Sequence, residues 1–258
     1  MRYSICVSYD GAEFCGWQIQ PSAPSVQQCL EGALSRLLNR PVSVTGAGRT
    51  DTAVNAYGYI AHFDIEGELP FTQADLCYKL NAILPRSVAV LQVLPVADDF
   101  HARYSARRRE YTYFIHREKD PFVRHYSWLC GYPSLDFDAM NKACQYLLGT
   151  HNFSCFEKTG TDVKTSVCTI YEAYWKPYDP VIPGLTGNLT KEHNYWYFRV
   201  AADRFLRNMV RAIVGSLIEV GRGKQSPEWI AELIEKGTRS EAGESVPGHA
   251  LFLSKVLY

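Results

Sequence analysis

The sequence predicts an α+β protein made of two similar βαββαβ-type halves, each with a largely antiparallel mixed sheet flanked by helices. Three observations carry this expectation. Short runs that alternate apolar and polar residues are interleaved with stretches whose apolar residues recur at helical spacing. The order of those runs reads βαββαβ over residues 1–104 and nearly returns, as βαββααβ, over 105–258. The hydrophobic fraction of 47% is enough to bury a sizeable core.

Arg2 to Tyr9 alternates and reads as a strand, ended by Asp10-Gly11. Glu13 to Gln20 is a loop rich in aromatic and amide groups. Ser25 with Gln28 forms a capping-box pattern, so a helix follows to about Asn39, burying Val26, Leu30, Ala33, Leu34 and Leu37 before Pro41 stops it. Strands are expected over 42–47 and 58–65, with the loop Gly46 to Ala56 (GAGRTDTAVNA) between their cores. A helix over 72–84 starts at Thr72, a capping residue, and a strand over 88–96 closes the first half.

The second half opens with a strand over 109–116, REYTYFIH. A helix over 136–148 turns Phe137, Met140, Ala143, Cys144 and Leu147 inward. Strands follow over 165–175 and 195–202, with Asp179 to Lys191 as the longest irregular loop. A long helix over 204–220, a second over 227–236 and a strand over 251–257 complete the chain.

Composition excludes several classes. No apolar run approaches the roughly 18 residues of a membrane span, so no membrane partner is expected. The eight cysteines show no C-x-x-C pair and no zinc spacing, so no metal is expected and they read as free thiols in a reducing cytoplasm. Net charge is zero, which argues against a uniformly basic nucleic-acid coat but leaves room for a local basic cleft.

Chemistry concentrates in three places. The loop around Arg49 and Asp51 holds a guanidinium and a carboxylate two residues apart on a glycine-rich backbone that a ligand can approach. Arg107-Arg108-Arg109 leads into Tyr111 and Tyr113, so arginines that can meet phosphates stand beside rings that can stack on a base. On the expected helix from 204, Arg204, Arg207, Asn208 and Arg211 share one face, opposite Leu206, Met209, Ile213 and Leu217, with no acid before Glu219. A basic stripe of that kind favours an anionic partner. No G-x-S-x-G elbow is present, and the histidines, His62 and His101 included, stand at no catalytic spacing.

Taken in order, these residues resemble the TruA family of tRNA pseudouridine synthases. The resemblance covers nearly the whole chain. It is carried by Tyr9-Asp10-Gly11, Gly16-Trp17-Gln18, Ser25-Val26-Gln27, Gly48-Arg49-Thr50-Asp51, Phe100-His101-Ala102-Arg103, Arg109-x-Tyr111-x-Tyr113, Met209-Val210-Arg211 and Gly248 to Leu253. It implies the pseudouridine synthase fold, with a cleft between the halves, and isomerisation of uridine at tRNA positions 38, 39 and 40. The target nucleotide would be flipped out of the stem. Asp51 would be the nucleophile or acid–base group that cleaves the glycosidic bond. Tyr111 would stack on the base and take part in removing the C5 proton. Arg211 would pair with Asp51, as a guanidinium favours the charged form of a carboxylate. Arg49, Arg204 and Arg207 would bind substrate. The resemblance also implies no cofactor, and a cytoplasmic homodimer acting on tRNA. Two rivals remain at this level: a non-catalytic RNA-binding protein, and a nucleoside hydrolase using Asp51.

The chain departs from the family pattern at three positions. Ala53 stands where the family has Gly, Asn55 where it has His, and Cys168 where an arginine is common. If position 53 needs a positive φ, Ala53 strains the loop.

Overall fold

The computed structural model describes residues 1–160, 164–187 and 194–258. Along the chain it shows β1 (Arg2–Tyr9), α1 (Val26–Leu38), β2 (Val44–Gly46), β3 (Asn55–Asp64), α2 (Gln73–Ile83), β4 (Val88–Val96), β5 (Arg108–His116), β6 (Trp128–Leu129) and α3 (Phe137–Gln145). There follow β7 (Gly149–Asn152), β8 (Val167–Pro177), α4 (Val181–Leu185), β9 (Tyr195–Ala202), α5 (Met209–Gly221), α6 (Trp229–Lys236) and β10 (Leu251–Leu257). Contacts divide the chain into two units, residues 1–109 with 252–258, and residues 110–251. The sequence puts that divide after residue 104 and the last strand in the second half. In the structure Phe252 and Leu253 pair in parallel with Asn55 and Ala56, which draws β10 into the first unit.

In the first unit the strand order is β4-β1-β3-β10, with β2 also on β3. β1 runs antiparallel to β3 and to β4. Its alternation is complete: Tyr3, Ile5, Val7 and Tyr9 are buried, their neighbours are not. The far edge of β3 is shared. Residues Ala61 to Phe63 pair with β2, while Asn55 and Ala56 pair with β10. The loop leaving β2 therefore closes over the stretch of β3 between them. α1 and α2 pack on each other and against β2 and β4. The Ser25 hydroxyl accepts from the Gln28 N–H and the Thr72 hydroxyl from the Asp75 N–H, as the capping patterns require. α1 ends at Asn39 in the left-handed region, ahead of Pro41. It buries Leu38, and Leu37 is only half-buried.

In the second unit the order is β5-β9-β8-β7, with β6 parallel to β5. β7, β8 and β9 are antiparallel. α3 packs on α5, α6 and β8. Its N-cap is Asp136, and Phe137 lies flat on Trp196 with ring centroids 3.6 Å apart. α5 differs from its expected form. It begins at Met209, five residues later than the hydrophobic spacing suggested, and is buried on almost all sides apart from Arg211 and Glu219. The reason is local. The Asp203 carboxylate accepts from the N–H groups of Thr169 and Arg204, which ties that stretch to β8. Asn208 then takes a left-handed turn (φ 66°) that no continuous helix can hold. Arg204, Arg207 and Asn208 thus precede the helix, and the basic stripe along one helical face does not form. Part of the expected loop over 179–191 also differs, since α4 occupies Val181–Leu185; residues 188–191 lie outside the described residues.

All eight cysteines are free thiols. Burial pushes Cys130 and Cys155 up to about 11 and Cys168 up to about 12, so they serve as core filler.

His62, His116 and His249 are each held below the ordinary imidazole range, first of all by burial. His62 Nδ1 accepts from the Ala102 N–H at 3.1 Å, a bond that needs a lone pair on that nitrogen. Once unfolded, each ring takes up a proton near pH 6.5, roughly its free value. Below about pH 6.5 the unfolded chain therefore binds more protons than the folded one, and stability falls until the folded histidines protonate too. Melting temperature should be flat only between about pH 7 and 8 and decline as the pH drops through about 6.5, less steeply in His62→Gln; above about pH 8 the buried thiols lower it again, because they ionise in the unfolded chain first. A melting temperature that rises over the acid interval would contradict the assignment.

Candidate active site

The loop from Ala47 to Val54 is fastened at almost every residue. The Ala47 N–H donates to Ile60 O at 2.8 Å, and the Gly48 N–H to the Tyr59 hydroxyl at 3.2 Å. That hydroxyl donates back to Gly48 O. Tyr9 and Thr50 share a buried hydroxyl–hydroxyl bond of 2.9 Å. The Trp17 N–H donates to Thr50 O at 3.3 Å. Gly16 lies so close that a Cβ there would sit 2.2 Å from Thr50 O, and its φ is +92°, so both space and conformation call for glycine. Below the loop Trp17 stacks on Tyr59 with centroids 4.1 Å apart, and Tyr9 packs on both rings.

The two charged residues stand on this fixed base. Arg49 is exposed and Asp51 half-buried. The Asp51 carbonyl accepts from the Val54 N–H at 3.1 Å, which closes a turn over Thr52 and Ala53. Ala53 carries the positive φ, 63°. Its N–H donates to Phe14 O at 3.3 Å. Asn55 is 1% exposed, and its side-chain oxygen accepts from the Gly11 N–H at 2.8 Å. It is a fastener inside the fold, so the family position that carries His is filled here by a side chain that faces inward. Arg109, offered by the sequence as a phosphate contact, donates to Ala106 O at 3.1 Å and to Ala47 O at 3.2 Å. It also reaches Arg103 O at 2.5 Å, so its fork braces backbone.

The second unit holds the other residues singled out. Tyr111 lies on β5, half-buried, and meets the edge of Phe205 (centroids 5.0 Å, planes at 86°). Arg204 and Arg207 flank Phe205 in the segment before α5; Arg204 is half-buried and Arg207 exposed. The Arg207 carbonyl accepts from the Lys158 N–H at 3.0 Å. Arg211 sits in the first turn of α5, and its Nε–H donates to Val246 O at 2.6 Å. It lines an open cleft of about 430 Å³ together with Lys158, Thr159, Asn208, Arg239 and Ser245. Lys158, Arg239 and Ser245 are absent from the sequence reading. Nothing in their spacing marks them, because Lys158 reaches this cleft from a stretch some 80 residues from Arg239 and Ser245. Among the described residues no group of three or more His, Cys, Asp and Glu side chains could hold a metal. Cys168 is fully buried in β8, so it faces no ligand.

Two substitutions test the loop. Ala53→Gly should raise the unfolding free energy by about 1 kcal/mol, the left-handed penalty less the entropy glycine adds to the unfolded chain. Asn55→Ala should lower it by about 2 kcal/mol, since a buried Gly11 N–H loses its acceptor. Urea denaturation of both variants measures this, and a destabilised Ala53→Gly would refute the strain at that residue.

Arg49, Asp51 and Arg211 lie within the residues matched by a family model described as tRNA pseudouridine synthase, 5–105 and 143–258; Tyr111 falls between the two matched segments. The chain is similar along its whole length to proteins named tRNA pseudouridine synthase A. That of Parabacteroides distasonis is 46% identical over 261 residues, covering 100% of this chain and 96% of the relative. That of Bacteroides thetaiotaomicron is 47% identical over 258 residues, covering 100% and 90%. In Bacillus licheniformis the match is 39% over 262 residues, covering 100% and 99%. Identity at that level from end to end, with a family model that matches most of the chain, makes this protein a member of the tRNA pseudouridine synthase family.

Proposed function

We propose that the protein converts uridine to pseudouridine in the anticodon stem-loop of tRNA, at positions 38, 39 and 40. The observation that carries this reading is the fixed loop beneath Asp51. A carboxylate on a turn anchored at Thr50, at its own carbonyl and at Ala53 and Val54 is preorganised, which is what a group acting on one carbon of a flipped nucleotide needs.

The reaction is an isomerisation. The bond from C1′ to N1 of uracil breaks, the base turns, and a bond from C1′ to C5 forms. The C5 proton leaves and N1 takes one up. Atoms and electrons balance without an oxidant, a reductant or any carried group, so the chemistry calls for no cofactor. Asp51 drives the glycosidic cleavage, as nucleophile or as acid–base group. Tyr111 stacks on the base and helps remove the C5 proton; support comes from Phe205, whose edge contact sets the tilt of the ring. Arg211 supplies the positive partner of Asp51 in the reaction. Arg49, Arg204 and Arg207 hold the RNA phosphates, a part suited to the exposure of Arg49 and Arg207. A homodimer in the cytoplasm belongs to the same proposal. The exposed Val181, Ile182 and Leu185 of α4 offer apolar surface for such an assembly.

Position-resolved mapping with a carbodiimide label tests the reading. Treated tRNA should gain pseudouridine at those anticodon-arm positions and release no free uracil. Asp51→Asn should lose about 10³-fold or more in rate, in the range typical of an acid–base or nucleophilic group. Equal activity in Asp51→Asn would remove the catalytic assignment, and free uracil as product would make the protein a hydrolase.

A further inference from the structure

Arg211 is useful in the reaction only if its planar fork points one way. The fork cannot fix its own direction, because an arginine side chain has many rotamers. Its Nε–H is committed to Val246 O at 2.6 Å, and the Val246 N–H returns to Arg211 O at 3.3 Å. The Nε edge of the Arg211 fork is therefore tied to where residue 246 stands.

Residues 242–247 form a strap over the first two turns of α5, and its seat is tight. A Cβ on Gly215 would come within 1.8 Å of Glu244 O, and one on Gly243 within 2.6 Å of Gly215 C. The Gly243 N–H donates to the fully buried Ser216 hydroxyl at 2.9 Å, which itself donates to Ala212 O at 2.9 Å. At its far end Pro247 O accepts from the Tyr113 hydroxyl at 3.0 Å, two residues along β5 from Tyr111. The strap thus touches the element that carries Tyr111 as well as Arg211.

Arg239 holds the strap in shape. Its Nη1 donates to Gly243 O at 3.1 Å and reaches Ala242 O at 3.5 Å. Its Nη2 donates to the Ser245 hydroxyl at 2.8 Å. That hydroxyl also accepts from Asn208 Nδ2, the N-cap residue of α5, at 2.5 Å. Ser245 is therefore clamped between Arg239 and the helix start, one residue before the carbonyl that holds Arg211.

We propose that Arg239 is a positioning residue for the pseudouridine reaction: through Ser245 and the 242–247 strap it sets the guanidinium of Arg211. The proposal rests on the part assigned to Arg211 above. It predicts that the Arg239 fork acts on the rate of the chemical step and not on tRNA affinity, because its donors are engaged with protein.

Single-turnover rates and KM for a tRNA transcript, measured for Arg239→Met, Ser245→Ala, Arg211→Lys and the pairwise combinations, test it. Arg239→Met should lower the rate about tenfold, as a small misplacement of a reacting group does, with KM within about twofold of wild type. Ser245→Ala, which removes only a hydroxyl and keeps the fold, should give a smaller loss of the same kind. In the Arg211→Lys background, whose fork is gone, Arg239→Met should cost less than about twofold further. A full tenfold loss in that background would overturn the coupling. So would a raised KM with unchanged rate, or a salt dependence of binding reduced by about one charge, since both mark direct phosphate contact. A lowered melting temperature with an unchanged rate would reduce Arg239 to a structural residue. Arg211→Lys turning over like wild type would instead sink the assignment of Arg211 itself, and that arm is read without any Arg239 variant.

Discussion

Thr50 is the point on which the conformation of the loop carrying Asp51 depends. Its hydroxyl meets Tyr9, its carbonyl accepts from Trp17, and the bare Cα of Gly16 lies against it. Tyr9 is the last inward position of β1, so the alternation that builds the core also delivers the group that anchors the loop. The rings of Tyr9, Trp17 and Tyr59 are almost wholly buried and pack together under that anchor. A hydroxyl pair sealed under aromatic rings is costly to leave unmade, which makes the loop conformation an all-or-none matter. Asp51, the next residue, inherits that fixity without itself being buried.

The second unit reaches the same end by similar means. There the charged residue stands on a helix, and the rigid partner is a strap. The crossing of Gly215 and Gly243 brings backbone onto backbone at a distance that admits no side chain. Ser216 supplies the buried hydroxyl that joins the two. In both places a glycine permits close approach and a buried hydroxyl locks it; Asp51 directly follows Thr50, while Arg211 stands five residues before Ser216 on the same helix. Side-chain entropy that would otherwise be lost during the reaction is removed when the chain folds.

Much of the first unit was legible from sequence because its signals are local. Alternation in β1, the caps at Ser25 and Thr72, and the stop after Asn39 each act within a few residues. The second unit shows where local signals fail. The apolar spacing from Leu206 onward fits a helix, yet the Asp203 carboxylate and the left-handed Asn208 delay its start to Met209. The Asp203 bond depends on β8, back in the chain, and Asn208 is tied by its side chain to Ser245, further on. The pairing of β10 with β3 is equally non-local, and no periodicity can announce it. Asp51, Tyr111 and Arg211 were singled out through an ordered set of short motifs. Arg239 was not, because its importance lies in which carbonyls it meets, and an arginine beside a threonine and a serine carries no sign of that.

Ala53 shows how such a site bears its own strain. Alanine at φ 63° sits in a region that costs about 1–2 kcal/mol. Nothing in its side chain compensates. The compensation comes from its flanks, where the Ala53 and Val54 N–H groups reach Phe14 O and Asp51 O, and where Asn55 binds Gly11. Each of these bonds requires the same turn, so relaxing Ala53 to negative φ would break several to relieve one. The strain is therefore retained, and it is retained two residues from Asp51. Glycine at 53 would release it without changing the turn, because the turn is dictated by the bonds around it. Asn55 works by the same logic: the position is governed by what the Gly11 N–H needs, and a side-chain amide oxygen meets that need from inside the fold.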